Sequence, residues 1–259
     1  MSGGSALNFN VAIYNLDVTA NTTTLTSNVS TVAGALNVSG GTLDTGADLT
    51  LTVTGDATAG GTIDANASAV SVGSMSIGAS GIYTATSGTT TVTSRITATS
   101  VTWSKHATGT FTSSSGVVDF TGQSGTGVYK VMGNNAWATL RITVTTACEY
   151  DIDNTSEQDV ATYVHMNGAT GQLLTLKSDV AESAWSIDLA SGCLQDIAYV
   201  YVQDSDASPG LECTAAFSTD GGRNTNWDVG AAGEYGWDGG GADNLASTAG
   251  NWEGDAAPG

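Results

Sequence analysis

Clustered carboxylates in the last third of the chain are the groups best suited to chemistry. Four aspartates stand close in sequence to three aromatic residues: Asp188, Asp196, Asp204 and Asp206, beside Trp185, Tyr199 and Tyr201. Hydrolysis of a glycosidic bond uses two carboxylates held at a set distance across the sugar. The whole chain, however, has only 6 Lys and Arg residues to stabilise a uronate or a leaving group. We therefore predict a protein that is not an enzyme, with no catalytic or cofactor-binding residue.

Asp204, Asp206 and Asp220 are candidate ligands for a structural Ca²⁺ ion, which takes about six to eight oxygen ligands. The same stretch also suits an Asx-rich β-turn, with Pro209 and Gly210 closing the corner. Neither the EF-hand spacing nor the Gly-Gly-x-Gly-x-Asp nonapeptide is present. The pattern favours the turn and leaves calcium as the alternative.

The two histidines, His106 and His165, stand alone in the sequence. Neither has a second histidine at the short spacing typical of a metal site. We predict that each lies at the surface or in a local hydrogen bond, and we name no metal ligand among them.

A repeat of short strands must position these residues. Apolar-polar-apolar triplets recur at steps of about twenty residues, at Leu16-Asp17-Val18, Leu36-Asn37-Val38, Ala57-Thr58-Ala59 and Met75-Ser76-Ile77. Two further series run between them, one through Leu25, Leu43, Ile63 and Ile82, the other through Val32, Leu51/Val53, Val70/Val72 and Val92. Three period-2 strands per repeat are typical of a solenoid whose stacked coils bury one continuous core.

The repeat predicts an all-β chain, folded as a parallel β-helix with three short strands in each coil of about twenty residues. The register should persist from residue 16 to about 120. Outward side chains should form a ladder through Asp17, Asn37, Thr58, Ser76 and Thr97. We divide the chain into an N-terminal cap or contact segment at 1–13, a solenoid at 14–229 and a Gly/Trp-rich capping or junction segment at 230–259.

Composition excludes several classes of partner. The 25 Asp and Glu against 6 Lys and Arg give a formal charge of -19 at pH 7. Phosphate binding needs clustered basic residues, so we predict no nucleic-acid partner and no binding to anionic membranes. No apolar run is long enough to span a bilayer, and no window has the apolar spacing of an amphipathic helix.

The stretch from Leu173 to Trp227 resembles a module of very large secreted or surface-exposed bacterial proteins. The likeness rests on segments in a set order: Leu174 to Ser178, Trp185, Tyr199 to Val202, Asp204 to Ser208 and Asn224 to Trp227. The N-terminal coils are similar to filamentous-haemagglutinin and autotransporter repeats, which fold as right-handed parallel β-helices. This resemblance implies architecture and an extracellular or cell-surface location. It carries no catalytic residue.

From this resemblance we expect a structural or adhesive module, a rod, spacer or filament subunit at a microbial surface that assembles end to end with copies of itself. Trp237 and Trp252 are the expected anchors of that contact. One alternative is a virion fibre, spike or decoration protein, or an adhesin that binds surface glycans. A lower alternative is a polysaccharide-degrading β-helix enzyme.

Cys193 and Cys213 are spaced by one coil of the later part of the chain. Adjacent strands lie about 4.8 Å apart, which suits the Cα separation of a disulfide. Chance spacing of two small buried thiols is the alternative. The exported context that the resemblance implies favours the disulfide, and Cys148 is then expected to be a buried small hydrophobe.

Overall fold

The chain folds as the predicted right-handed parallel β-helix with three strands per coil. The computed structural model describes residues 5–7, 12–27, 29–46, 49–93, 100–121, 127–230, 245 and 248, and these contain strands but no helix. Every pairing between named strands is parallel, because each strand bonds to its counterpart in the next coil. No helix of the described residues is long and apolar enough to cross a membrane.

Three sheets form the sides of the helix. The first contains β1 (Ser5–Leu7), β3 (Thr22–Leu25), β6 (Thr42–Asp44), β9 (Thr62–Asn66), β12 (Ile82–Ala85) and β15 (Thr110–Thr112). The second contains β4 (Val29–Val32), β7 (Thr50–Val53), β10 (Ala69–Val72), β13 (Thr89–Val92), β16 (Val117–Phe120), β18 (Asn135–Thr143), β20 (Glu157–Asn167), β22 (Trp185–Leu189) and β25 (Ser205–Asp206), with β23 (Leu194–Ala198) also paired to β20.

The third sheet runs the length of the described chain. It contains β2 (Leu16–Val18), β5 (Leu36–Val38), β8 (Asp56–Ala59), β11 (Ser74–Ile77), β14 (Ser100–Lys105), β17 (Val128–Met132), β19 (Cys148–Ile152), β21 (Leu174–Ser178), β24 (Val200–Val202) and β27 (Thr219–Asp220). A separate pair joins β26 (Cys213–Ala215) to β28 (Trp227–Val229).

The apolar triplets predict the first coils correctly. Leu16 pairs with Leu36, Leu36 with Ala57 and Ala57 with Met75, so like positions stack along the axis. All four side chains are buried. The outward ladder is confirmed for its first four members, since Asp17, Asn37, Thr58 and Ser76 lie in one register.

The ladder continues through Ser104, whose hydroxyl donates to Ser76 Oγ at 3.1 Å across 28 residues of sequence. Thr97, the predicted next member, lies outside the described residues. The predicted register to about residue 120 is confirmed, since Tyr83 pairs with Phe111 and Val92 pairs with Phe120. The coil itself is longer than its predecessors, with the 28-residue step between Ser76 and Ser104 in place of about twenty. Trp103 of β14 stacks on Met75, and no periodic signal in the sequence marks that strand.

The second apolar series departs from the structure at two places. Leu25 is buried but stands two residues out of register with Leu43, which pairs with Thr23. Ile82 is exposed, whereas Tyr83 is fully buried and pairs with Ile63. Tyrosine fits the inward position because its hydroxyl lies 2.5 Å from the hydroxyl of Thr90, which is buried too. Burial raises the pKa of Tyr83, so its phenol stays neutral.

Aromatic side chains fill the core where the coils lengthen. Trp103 and Trp137 lie 5.0 Å apart between ring centroids, and both contact Phe111 edge-on. Their indole N–H groups donate to a buried amide pair: Trp103 to Asn135 Oδ1 at 2.8 Å and Trp137 to Gln158 Oε1 at 3.2 Å. The amide of Asn135 donates to Gln158 Oε1 at 3.1 Å, which links the two coils.

The predicted division of the chain is described only in part. Within the N-terminal segment 1–13, β1 pairs in parallel with β3 and so adds a strand to the first sheet. Of the segment 230–259, only Gly230, Leu245 and Thr248 are described. Trp237 and Trp252 lie outside the described residues.

Gly81 lies where the backbones of successive coils approach each other closely. A Cβ atom at Gly81 would lie 1.9 Å from the backbone oxygen of Ala59, whereas a Cβ at nearby Gly78 would meet the same oxygen at 3.4 Å. We expect Gly81→Ala to lower the free energy of unfolding by about 1–3 kcal/mol, since the backbone must shift. Gly78→Ala is the control and should change it by less than about 0.5 kcal/mol. Urea unfolding measures both, and equal midpoints would contradict the close approach.

Candidate functional site

The Asp204 turn is held by an ion pair. Asp204 is buried and adopts a positive φ of 53°. Its carboxylate accepts hydrogen bonds from Arg223 Nε and, at 3.1 Å, from Arg223 Nη2. The guanidinium of Arg223 and the N–H of Glu182 lower the pKa of Asp204 against the effect of burial. The predicted calcium ligand thus already has a cationic partner.

Asp206 and Asp220 each close a turn of their own. Asp206 Oδ1 accepts from the N–H of Ser208 at 2.9 Å, and Asp220 Oδ1 accepts from the N–H of Gly222 at 2.7 Å. These are the Asx turns that the sequence favoured. The three aspartates are not a group whose oxygens lie together in the described chain. Calcium binding there stays a prediction, and it would have to compete with Arg223.

A different acidic group lies on the outer face of the second sheet. Ligand oxygens of Glu157, Asp159 and Asp188 lie within 4.8 Å of one another. The register pairs Asp159 with Asp188 in the next coil. Desolvation, then the charges of Glu157 and Asp188, raise the pKa of Asp159. The group offers three carboxylates, about half of what Ca²⁺ takes. Sequence reasoning missed it because Asp188 stands far along the chain from Glu157 and Asp159, and only the register of β20 with β22 brings them together.

Asp196 is the centre of a hydrogen-bonded group on β20 and β23. Its Oδ2 lies 2.7 Å from His165 Nδ1 and accepts from Tyr163 Oη at 3.3 Å. Its Oδ1 accepts from the amide of Asn167 at 3.1 Å. Partial burial acts to raise the pKa of Asp196, but these hydrogen bonds together lower it. The carboxylate is therefore ionised at neutral pH, and His165 has a local partner, as predicted for an isolated histidine.

Beside Asp196 lies an open cleft of about 790 Å³ between β23 and β26, here called the β23–β26 cleft. Its wall and floor include Leu194, Asp196, Tyr199, Thr214, Ala216 and Phe217. Tyr199 and Phe217 occupy corners of successive coils, both with positive φ, and their rings stack at 5.2 Å with 13° between planes. The cleft thus combines an aromatic pair with a fixed carboxylate.

Gln195 holds the two strands of this cleft together. Its Nε2 donates to the backbone oxygen of Glu212 at 2.8 Å, and its Oε1 accepts from the N–H of Thr214 at 3.0 Å. A side-chain amide here takes hydrogen bonds that a neighbouring backbone makes elsewhere in the ladder. Ala198 of β23 and Ala216, the residue after β26, form a parallel bridge between the two backbones.

The four aspartates considered for hydrolysis lie in four different environments. Asp188 faces Asp159, Asp196 faces His165, Asp204 binds Arg223 and Asp206 caps its turn. Among the aromatic residues beside them, Trp185 is a core residue that packs edge-on against Trp227. Only Asp196 and Tyr199 line the same cleft.

All three cysteines are buried. Burial raises the pKa of Cys213 to about 12, with a smaller contribution from Cys193, so these two residues lie near each other. Burial also raises the pKa of Cys148 to about 12, which suits its expected role as a small hydrophobe. The disulfide between Cys193 and Cys213 stays a prediction.

Comparison of the chain with models of known protein families, with curated proteins and with solved structures gave no match. Fold and site therefore rest on the sequence and the geometry.

The acidic group on β20 and β22 predicts that Asp159→Asn stabilises the native state to a degree that depends on pH. Because the pKa of Asp159 is raised on folding, the ionised carboxyl destabilises the native state above that pKa, and the penalty vanishes as pH falls below the ordinary aspartate range. We expect the amide to raise the Tm at pH 7 and to lose this advantage in acid. Asp17→Asn, an exposed aspartate of β2, is the control for net charge. A gain in Tm that grows as the pH falls would contradict the raised pKa of Asp159.

Thiol counting tests the predicted disulfide. Protein purified without reductant and unfolded in denaturant should bind one equivalent of a thiol reagent if Cys193 and Cys213 are joined, leaving Cys148 to react. Cys193→Ser should then expose Cys213 and restore two reactive thiols. Three reactive thiols in the unreduced wild-type chain would show that the pair is reduced.

Proposed function

We propose that this chain is a non-enzymatic structural or adhesive module, a rod, spacer or filament subunit that assembles end to end at a microbial surface. The observation that carries the proposal is the third sheet, whose ten parallel strands follow one another along the axis. At a strand spacing of about 4.8 Å, ten strands give a rod roughly 45 Å long. Such a rod sets a distance between whatever lies at its two ends.

The ends of the rod supply the reason for assembly. A solenoid that stops leaves strands with unpaired N–H and C=O groups, which pair with another chain unless they are covered. Within the described residues, β27 and β28 each have a strand partner on one side only. A copy placed in register would continue the sheets of the rod. The Gly/Trp-rich segment 230–259 follows directly on β28 and is the proposed contact.

Charge supports an end-to-end geometry over a side-by-side one. Four basic residues of the described chain already pair with carboxylates: Lys130, Arg141, Lys177 and Arg223. The remaining carboxylates give the flanks a strong negative charge, in keeping with the formal total of -19. Like-charged flanks repel one another, and salt screens that repulsion.

The filamentous-haemagglutinin-like repeat type and the extracellular location belong to the same proposal. Outward ladders of short polar residues, such as Asp17, Asn37, Thr58 and Ser76, suit a solvated flank. On this face of the described coils, the ladder is polar where a spike made from three intertwined chains would have a long apolar stripe. This observation favours the bacterial surface module over the virion alternative.

Deletion of residues 230–259 tests the proposal. We expect the full chain to form linear oligomers, visible by mass photometry and electron microscopy, and the truncated chain to be monomeric. The β-rich circular dichroism and the Tm of the truncated chain should match those of the full chain, because the coils before Gly230 keep their core.

A paired substitution, Trp237→Ala with Trp252→Ala, is the matched variant because it leaves the length unchanged. It should weaken association in the same direction. Oligomers of unchanged size after deletion would overturn the proposal, and a discrete trimer of the full chain would favour the virion fibre instead.

A further inference from the structure

We infer that the β23–β26 cleft binds an uncharged sugar unit of a polysaccharide. Its volume of about 790 Å³ falls within the range of small-molecule sites. The outward residues at its floor are small, namely Ala198, Thr214 and Ala216, so the surface is concave between the larger side chains at its margins. One or two sugar rings fit into such a depression from the solvent side.

The apolar margin suits the C–H face of a pyranose. The stacked rings of Tyr199 and Phe217 lie at one side, and their backbone conformations fix them at the coil corners. Leu194 lies at the other side with 68% of its surface exposed. Exposed apolar residues beside a few convergent polar groups are the usual composition of a ligand site.

The polar group of the cleft is a fixed acceptor. The side chain of Asp196 is 47% exposed although it accepts from three protein donors. Tyr163, His165 and Asn167 therefore hold the carboxylate in one orientation while leaving part of it open to solvent. A sugar hydroxyl that donates to this carboxylate makes a charge-assisted hydrogen bond, and little side-chain entropy is lost because the acceptor is already held.

Charge decides the class of sugar. Besides Asp196, two exposed acids stand near the cleft: Glu212 directly precedes β26, and Asp228 of β28 lies opposite Thr214 in the register. No Lys or Arg is among the residues that line the cleft. Uronates and sulfated sugars would be repelled, so the cleft suits neutral hexoses. This inference does not depend on end-to-end assembly, since each chain holds a complete cleft.

Calorimetric titration of the full chain tests the cleft with four probes: the hexasaccharides of β-1,4-glucose, α-1,4-glucose and β-1,4-mannose, and hexagalacturonate as the anionic counterpart. We expect at least one neutral probe to bind with a Kd below about 5 mM and hexagalacturonate to bind at least about tenfold more weakly. Failure of all neutral probes, or tighter binding of hexagalacturonate, would overturn the inference.

Variants locate the binding. Ala216→Trp fills the cleft and should weaken binding of the neutral probe by about tenfold or more. Asp196→Asn should weaken the same binding several-fold. Ala161→Trp introduces the same bulk at an exposed position outside this cleft and should leave affinity unchanged. If Ala216→Trp does not fold, Leu194→Ser takes its place, with exposed Leu211→Ser as control. Equal affinity of cleft and control variants would place the binding elsewhere and contradict the inference.

Discussion

The parallel hydrogen-bond ladder between coils is the constraint on which the rest of this structure depends. Because each strand pairs with its counterpart one coil away, an inward side chain lies on the inward side chain of its neighbours, as Leu16, Leu36, Ala57 and Met75 do. The size of the inward side chains can change along the axis only if the residues stacked on them in adjacent coils change as well. The approach of backbones is so close that a Cβ at Gly81 would clash with the oxygen of Ala59.

The buried amides show how the ladder tolerates a wider core. Once Trp103 and Trp137 enter the stack, two indole N–H groups lie away from water, and an unsatisfied buried donor costs about 1–3 kcal/mol. Asn135 and Gln158 accept hydrogen bonds from these indoles, and the amide of Asn135 donates to Gln158 in the next coil. Their partners include the backbone oxygen of Gly133, at 2.6 Å from Asn135 Nδ2 and 3.0 Å from Gln158 Nε2. The network thus compensates for its own burial and ties the register of β18 to that of β20.

Sequence reasoning reached the fold because the constraint is periodic. Apolar triplets at even steps predict stacked strands, and the structure confirms them through Met75. The reasoning failed where a residue was inward for a nonperiodic reason: Tyr83 replaces Ile82 because Thr90 satisfies its hydroxyl, and Trp103 belongs to a coil of different length. The group around Asp196 was predictable only as single residues. His165 and Asp196 are 31 positions apart, and only the register of β20 with β23 brings them together.

The same constraint explains why the cleft lies where it does. In a regular coil the outward groups form polar ladders, as Asp17, Asn37, Thr58 and Ser76 do. Between β23 and β26 the ladder is completed partly by the side-chain amide of Gln195 instead of a backbone. Small residues then face outward at Ala198 and Ala216, while the corners place Tyr199 and Phe217 beside them. An interruption that would weaken a plain rod therefore gives the molecule its one combination of aromatic pair, exposed leucine and fixed carboxylate within the part of the chain that the structure describes.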